Sequence, residues 1–318
     1  HNNDAAVYGA RAAYIGGVSG TATVAAGQYF DIPVSGTMAH SWVMYYKDEL
    51  EAFRRFAAIY PDNCILLADT YDVLKSGLPN AIQVFREMRD REVHSKNYGI
   101  RIDSGDLAYL TKTARCRLDQ AGFADAKIVI SNSLDEYTIT SILSQGGKVD
   151  AFGVGERMIT SKTDPIFGAV YKMCAVEEDG IMEPRIKVSE VIEKVTDPGL
   201  KEVYRIYDAS GRAVAELIAK KGESIDLDHP DEFIDTDRPW KVRHFENCKA
   251  RKLQRLVMKD GRRIEAPTTV KEIAAFVRKQ LATEIWEEEQ RFENPHKHFR
   301  DMTPAYYQMK MQMLSCEI

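Results

Sequence analysis

Short apolar runs alternate with amphipathic stretches through the first half of the chain. Ile32 to Ser35, Ile65 to Ala68, Tyr98 to Ile102, Lys127 to Ile130 and Ala151 to Val154 are each four or five residues long and nearly all apolar. Runs of that length and composition predict parallel strands buried on both faces. Between the third and fourth runs, Leu107, Leu110, Ala114, Leu118 and Ala121 recur at helical spacing, and Gly122 follows as a C-terminal stop. Ser133 and Glu136 predict a capping box opening a helix that stops at Gly146-Gly147. Repeated βα units of this length predict an α/β protein, either a parallel barrel or a doubly wound sheet.

The pattern changes from about Ala169. The runs become longer and more polar (AVYKMCAVEEDG, EVYRIYD, RAVAELIAKKG), and Asp179-Gly180 and Ser210-Gly211 are turn signals that predict hairpins. Leu227 to Phe245, rich in Asp, Pro and His, reads as a loop or linker. Thr269 to Glu289 and Pro304 to Leu314 are amphipathic and predict two closing helices.

Composition narrows the function classes. With 44% hydrophobic and 29% charged residues, the 318-residue chain has an ordinary globular make-up, for one large domain or two ordinary ones. A net charge of −5 gives no reason to expect a nucleic acid or an acidic membrane as partner. No apolar run approaches the roughly 20 residues of a membrane span. Five scattered cysteines without CxxC spacing predict reduced thiols in a cytoplasmic enzyme rather than a disulfide framework or a zinc site. The chain opens His-Asn-Asn-Asp, without an initiator Met or a leader, which predicts that it begins inside a longer protein.

Candidate chemistry lies at the strand ends. After the five runs come SGTMAH, DTYD, DSGD, SNSLD and GVGERMITS, all small, hydroxylated or acidic. In a parallel barrel these carboxyl ends converge on one face, where binding and catalysis are housed. Gly, Ser and Thr let backbone N–H groups approach phosphates, and the acidic residues suit ribose hydroxyls or a magnesium ion beside them. Each residue also has a structural reading. Ser104 or Asp106 serves equally as N-cap of the helix from Leu107, Ser133 reads as a cap, and capping is the default for Asp69 or Asp72. Gly153 and Gly155 form a GxG that is common in turns. His40 alone would read as a structural histidine. Arg101 is harder to dismiss, because a guanidinium at the end of a buried strand is costly unless an anion meets it.

Taken together, GTMAHSW, RIDSGDL and FGVGERMITSKTDPIFGAVYK, with YGARAAYIGG and RFENPHK, resemble the nicotinate phosphoribosyltransferase family, from Asp4 to about Leu314. The resemblance implies a type II phosphoribosyltransferase fold: an irregular parallel α/β barrel with an additional α+β portion from the C-terminal part. The implied division is a barrel domain over 1–225, with a hairpin insertion at about 169–218, and a C-terminal linker and helical portion over 226–318. It also implies formation of nicotinate mononucleotide and pyrophosphate from nicotinate and phosphoribosyl pyrophosphate, coupled to ATP hydrolysis, in NAD salvage. Magnesium is the implied cofactor, ATP the co-substrate, and a cytoplasmic homodimer with sites shared across its interface the implied assembly.

Residue by residue, the resemblance makes His40 the phosphohistidine; a neutral imidazole is a competent nucleophile. It sets Thr37 near the nicotinate ring and Arg101 on the nicotinate carboxylate and phosphoribosyl group, able to pair bidentately. Asp103 takes the ribose hydroxyls, Gly153, Gly155 and Thr160 form the 5-phosphate loop, and Ser131 with Asn132 makes another phosphoribosyl contact. No metal ligand is assigned. Two departures qualify the match. An earlier segment of the family, ending in an Arg-rich stretch that contacts substrate, is expected upstream of this chain. Glu156-Arg157 follows Gly155 where the family often has small or hydroxylated residues, and a carboxylate there is unfavourable beside a phosphate unless Arg157 offsets it. Nicotinamide or quinolinate as the base, or a catalytically dead nucleotide-binding module, are the rival readings. A sugar-phosphate aldolase barrel would need a Schiff-base lysine at a strand end, where these runs offer none.

Overall fold

A computed structural model describes residues 2–93, 95–166, 168–191, 194–227 and 232–316. The chain divides into two compact units, His1–Phe167 and Gly168–Ile318.

The first unit is built on a parallel sheet. Its strands β1 (Asn63–Leu67), β2 (Asn97–Ile102), β3 (Lys127–Ser131) and β4 (Ala151–Gly153) are neighbours in that order, all parallel. Ile65, Leu66, Leu67, Ile100, Ile102, Ile128 and Ile130 are buried, as their near-continuous apolar sequence predicts. Helices α1 (Asn3–Ile15), α2 (Val24–Phe30), α3 (His40–Tyr45) and α4 (Glu49–Ile59) precede the sheet. The connections carry α5 (Leu78–Asp90), α6 (Leu107–Gln120) and α7 (Glu136–Ser144), and α8 (Glu156–Ile159) follows β4. Phe53 and Phe56 of α4, Leu78 and Phe85 of α5, and Ala114 and Leu118 of α6 pack with the strands into one apolar core. The helix expected from Leu107 is therefore present, and Gly122 follows it at φ +83°.

Three expectations for this unit are corrected. β4 is exposed along its length rather than buried on both faces, being the edge strand of the sheet. The run Ile32 to Ser35 is not a strand: only Val34 bridges, in parallel, to Thr21. Pro33 has no N–H for a ladder, so the run cannot pair along its length. The helix after β3 is capped not by Ser133 but by Asp135, whose carboxylate accepts the Thr138 N–H at 2.8 Å. Asp72 and Asp106 do cap: Asp72 accepts from Leu74 and Lys75, and Asp106 from Tyr109.

In the second unit, β5 (Ala175–Glu178) and β6 (Ile181–Pro184) form a hairpin through Asp179-Gly180. β7 (Lys201–Tyr207) and β8 (Ala213–Lys220) form another across Ser210-Gly211. The latter pair belongs to a six-stranded sheet with β9 (Phe233–Asp235), β10 (Val242–Arg243), β11 (Lys249–Lys252) and β14 (Arg300–Met302), in the order β10-β9-β14-β8-β7-β11. Between β11 and β14 in the chain lie a small hairpin, β12 (Met258–Lys259) with β13 (Arg262–Arg263), and helix α9 (Val270–Thr283); α10 (Pro304–Cys316) ends the unit. α9 opens on a capping box of Thr269 and Glu272. Of the loop expected over Leu227 to Phe245, residues 228–231 lie outside the described residues, and the rest supplies β9 and β10. Phe167 of the GVGER-containing motif also lies outside them. Among the described residues, no helix is long and apolar enough to cross a membrane.

Candidate active site

The carboxyl ends of β1, β2 and β3 bring together most of the polar residues singled out in the sequence. Arg101 sits on the central strand β2, in register with Leu67 of β1 and Val129 of β3. Its guanidinium donates through Nε to Ser131 Oγ at 2.7 Å, through Nη1 to Thr37 Oγ1 at 2.9 Å and through Nη2 to Asp103 Oδ1 at 2.8 Å. The anion that the half-buried guanidinium requires is thus Asp103, two residues further on. Ser131 Oγ also donates to Asp103 Oδ1. Burial works to raise the Asp103 pKa, but the hydrogen bonds from Ser131 and Arg101 and the nearby charges outweigh it and hold the carboxyl below its usual value.

His40 opens α3 at the edge of this network, with 41% of its side chain exposed. Nδ1 lies 3.1 Å from Thr70 Oγ1, and Nε2 lies 3.6 Å from Asp103 Oδ2. The imidazole is anchored through Thr70, its contact with Asp103 is longer than a hydrogen bond, and the ring is open to solvent, an arrangement that can support nucleophilic chemistry. Thr70 was not singled out from the sequence; its only signal was its position just past the end of β1. Its neighbour Asp69 does not cap a helix. Its Oδ2 accepts from the Asp103 N–H at 3.1 Å and from Ser104 Oγ at 2.5 Å, so Asp69 shapes the DSGD turn. Gly105 completes that turn at φ +84°, a conformation that a side chain resists.

Asp69 Oδ1 is buried with no hydrogen-bond partner. An orphaned carboxylate oxygen beside Asp103 is a reasonable donor for a hard cation. Among the described residues no group of three or more His, Cys, Asp or Glu side chains could hold a metal alone. That donor set fits magnesium, which is usually bound by one or two carboxylates together with substrate phosphates.

The remaining site candidates lie beside this cluster. Asn132 and Ser133 follow β3 with φ 82° and 50°. Gly153 ends β4, so close to Ser131 that an added Cβ would come within 3.2 Å of the serine Cβ. Gly155 precedes α8, whose N-terminus no side chain caps. Thr160 Oγ1 donates back to the Glu156 carbonyl at 2.8 Å, so its hydroxyl is already engaged in the helix. Arg157 does not offset Glu156: it pairs with Asp135. The Asp135 carboxyl is held well below its usual range, first by hydrogen bonds from the Thr138 side chain and backbone and then by Arg157.

Comparison with known proteins places this geometry in a family. The model of the nicotinate phosphoribosyltransferase (NAPRTase) family matches residues 3–197, and that of the nicotinate phosphoribosyltransferase C-terminal domain matches residues 200–310. A nicotinate phosphoribosyltransferase of Bacillus subtilis is 42% identical over 315 residues, covering 99% of this chain and 63% of the relative. One of Caenorhabditis elegans is 30% identical over 353 residues, covering 93% and 61%. The chain therefore spans less than two thirds of the length of these relatives. Among solved structures, human nicotinic acid phosphoribosyltransferase shares the fold at a TM-score of 0.76 and 22% identity, over 96% of this chain and 66% of the other. Nicotinate-nucleotide pyrophosphorylase from Pyrococcus furiosus does so at 0.62 and 20%, over 89% and 63%. With family models matching residues 3–197 and 200–310, and a relative 42% identical over 99% of it, the chain belongs to the nicotinate phosphoribosyltransferase family.

Proposed function

We propose that this chain carries the transfer site of a nicotinate phosphoribosyltransferase, forming nicotinate mononucleotide and pyrophosphate from nicotinate and phosphoribosyl pyrophosphate, with ATP consumed through His40. The observation that carries the reading is the single network joining Thr37, Arg101, Asp103 and Ser131, with His40 on its rim.

A guanidinium has five N–H donors, and three are engaged here by Ser131, Thr37 and Asp103. One N–H on each terminal nitrogen remains for the nicotinate carboxylate, which suits a two-point contact. The ion pair with Asp103 fixes the plane of that fork before substrate arrives. Asp103 Oδ1 is saturated by Arg101 and Ser131, so Oδ2 is the oxygen for the ribose hydroxyls. The pyridine nitrogen brings its own lone pair and attacks the anomeric carbon as the bond to pyrophosphate breaks. Charge there becomes positive in the transition state, and the task of the site is positioning and electrostatic stabilisation by groups already in place. Magnesium, held by Asp69 and the substrate phosphates, would supply charge neutralisation for the leaving pyrophosphate.

For the ATP step, a ring nitrogen of His40 attacks the γ-phosphorus, the bond to ADP breaks, and a phosphoramidate forms on the exposed imidazole. The phosphoryl group would stand beside Asp103, where its arrival and loss can alter substrate affinity without entering the glycosyl transfer. Full-length protein should form labelled nicotinate mononucleotide from labelled nicotinate and phosphoribosyl pyrophosphate, and should do so faster with ATP. His40→Ala should lose ATP hydrolysis and the acid-labile phosphate label from γ-labelled ATP, yet keep slow ATP-independent synthesis. Undiminished ATP-stimulated synthesis by His40→Ala would end the phosphohistidine assignment. A preference for nicotinamide or quinolinate in the same assay would change the base.

A further inference from the structure

The chain between β3 and α7 turns through Asn132 (φ 82°) and Ser133 (φ 50°), two consecutive non-glycine residues in the left-handed region. L-residues visit that region singly as a rule, and strained conformations persist only where the surrounding structure over-determines them. Both ends of this segment are held. On one side Ser131 is buried, with its hydroxyl inside the Arg101–Asp103 network. On the other, Leu134 is in the core, and Asp135 makes two separate connections. Its Oδ1 caps α7 through the Thr138 N–H at 2.8 Å and the Thr138 hydroxyl at 2.7 Å, and its Oδ2 accepts from Arg157.

Arg157 lies in α8, beyond β4. One ion pair therefore ties the loop after β3 to the loop after β4. The side chains involved are only 29% and 12% exposed, so the pair is sheltered from the screening that weakens surface ion pairs. α8 is itself seated on α1: a Cβ at Gly9 would come within 2.7 Å of Ile159 Cδ1, so the Ile159 side chain lies directly against the glycine. The connection thus runs from α1 through α8 and Arg157 to Asp135 and the strained pair.

We propose that Arg157 is a positioning residue: through Asp135 it holds the Asn132–Ser133 turn and the Gly153–Gly155 segment in one arrangement, the one that receives the phosphoribosyl group. This inference rests on the phosphoribosyl reading and adds to it a residue that acts through another side chain. Its effect falls on one substrate. The Arg101 fork is anchored by Thr37, Ser131 and Asp103 and does not depend on Arg157.

The test compares Arg157→Ala, Arg157→Lys and Asp135→Asn in the full-length enzyme. Arg157→Ala should raise the KM for phosphoribosyl pyrophosphate by about tenfold or more and leave that for nicotinate within about twofold, since a misplacement of ~1 Å can cost up to ~100-fold. Arg157→Lys should recover part of the loss, because an ammonium still meets Asp135 at one point. Asp135→Asn keeps an acceptor for the Thr138 N–H and loses the charge that meets Arg157, so it should repeat the selective KM effect with little change in melting temperature. An equal rise in both KM values, or lost stability with both KM values intact, overturns the proposal. Amide hydrogen exchange supplies a readout that needs no turnover. Residues 132–135 of the unliganded protein should exchange faster in Arg157→Ala while the strands of the sheet, β3 up to Ser131 included, keep their protection. Unchanged exchange there overturns the clamp whatever the substrate is, whereas a wild-type enzyme inert toward phosphoribosyl pyrophosphate overturns the functional reading and leaves the exchange result to decide this one.

Discussion

Arg101 is bound on three sides within the protein before any substrate arrives, and this determines what a conservative replacement does. A lysine keeps the charge but cannot reach Ser131, Thr37 and Asp103 together while still offering two donors to a carboxylate. Arg101→Lys should weaken nicotinate binding by about 1.5–3 kcal/mol, the range for a charged hydrogen bond. If the KM for nicotinate hardly moves in the full-length enzyme, Arg101 does not hold the carboxylate. Asp103→Asn removes the charge facing the guanidinium and the acceptor for the ribose hydroxyls. It should impair phosphoribosyl pyrophosphate far more than ATP, with kinetics rather than melting temperature as the sensitive readout. A change confined to melting temperature would reduce Asp103 to a structural partner of Arg101. At this scale the sequence was informative where a polar residue interrupted an apolar run, as Arg101 does; Asp103 and Ser131 stand just past the ends of such runs, and only the family resemblance gave them roles. Thr70 did not stand out, because nothing in the sequence joins it to His40, thirty positions earlier. Nor did the partner of Arg157, which lies 22 positions away and is decided by the meeting of two loops.

Elements position these residues through close backbone approaches. Between β1 and α5 the chain makes one wide turn, Val73–Gly77, capped by Asp72. Gly77 lies against the end of β1: a Cβ there would sit 1.8 Å from the Ala68 carbonyl oxygen. Ala68 leads directly into Asp69 and Thr70, the residues that hold the DSGD turn and His40. Gly77→Ala must push backbone against backbone, so it should cost about 1–3 kcal/mol of stability, the usual penalty of overpacking. It should also reduce ATP hydrolysis, because the displaced segment carries Thr70. Unaltered denaturant midpoint and activity would mean that the turn absorbs the methyl group elsewhere. The elements most easily read from sequence were those with a complete apolar run or a clean helical period, β1 to β4 and α6. The Ile32 to Ser35 run misled because Pro33 removes a ladder donor, and the cap of α7 misled because two acceptable caps, Ser133 and Asp135, stand two residues apart. β9, β10 and β14 escaped notice for a different reason. Each is two or three residues long and carries a charge, so no periodicity exists to detect, and tertiary pairing alone makes them strands.

Those same short strands give the molecule a pH dependence that its overall charge of −5 does not foretell. β14 lies between β8 and β9, and its Asp301 faces Asp235 directly in register. One guanidinium, Arg243, serves both carboxylates and stacks 3.8 Å from the centre of the Phe299 ring. Asp301 is fully buried, with Oδ2 unpartnered, and Asp235 adds repulsion. Burial is the largest influence on it, only partly offset by Arg243 and by His298, and it pushes the carboxyl up to about 6. Asp235, with the same arginine plus backbone N–H donors, is held below its usual value despite burial. The sign for Asp301 follows from linkage. Between roughly pH 4 and 6 the folded chain binds a proton at Asp301 that the unfolded chain has released, so this group favours folding increasingly as pH falls through about 6 and opposes it above. At about 1.4 kcal/mol per pH unit, the contribution amounts to a few kcal/mol at most. Asp301→Asn keeps the shape and cannot ionise. It should therefore be more stable than the wild type at pH 8, with the margin closing as pH approaches 4. Carboxylates held low by their partners, Glu284 and Asp237 among them, lose their contributions on acidification in both proteins and cancel in the comparison. Paired denaturant titrations across pH 4 to 8 measure the margin directly; one that stays constant over that range would show that Asp301 remains ionised throughout, stabilised by Arg243 beyond what its burial costs.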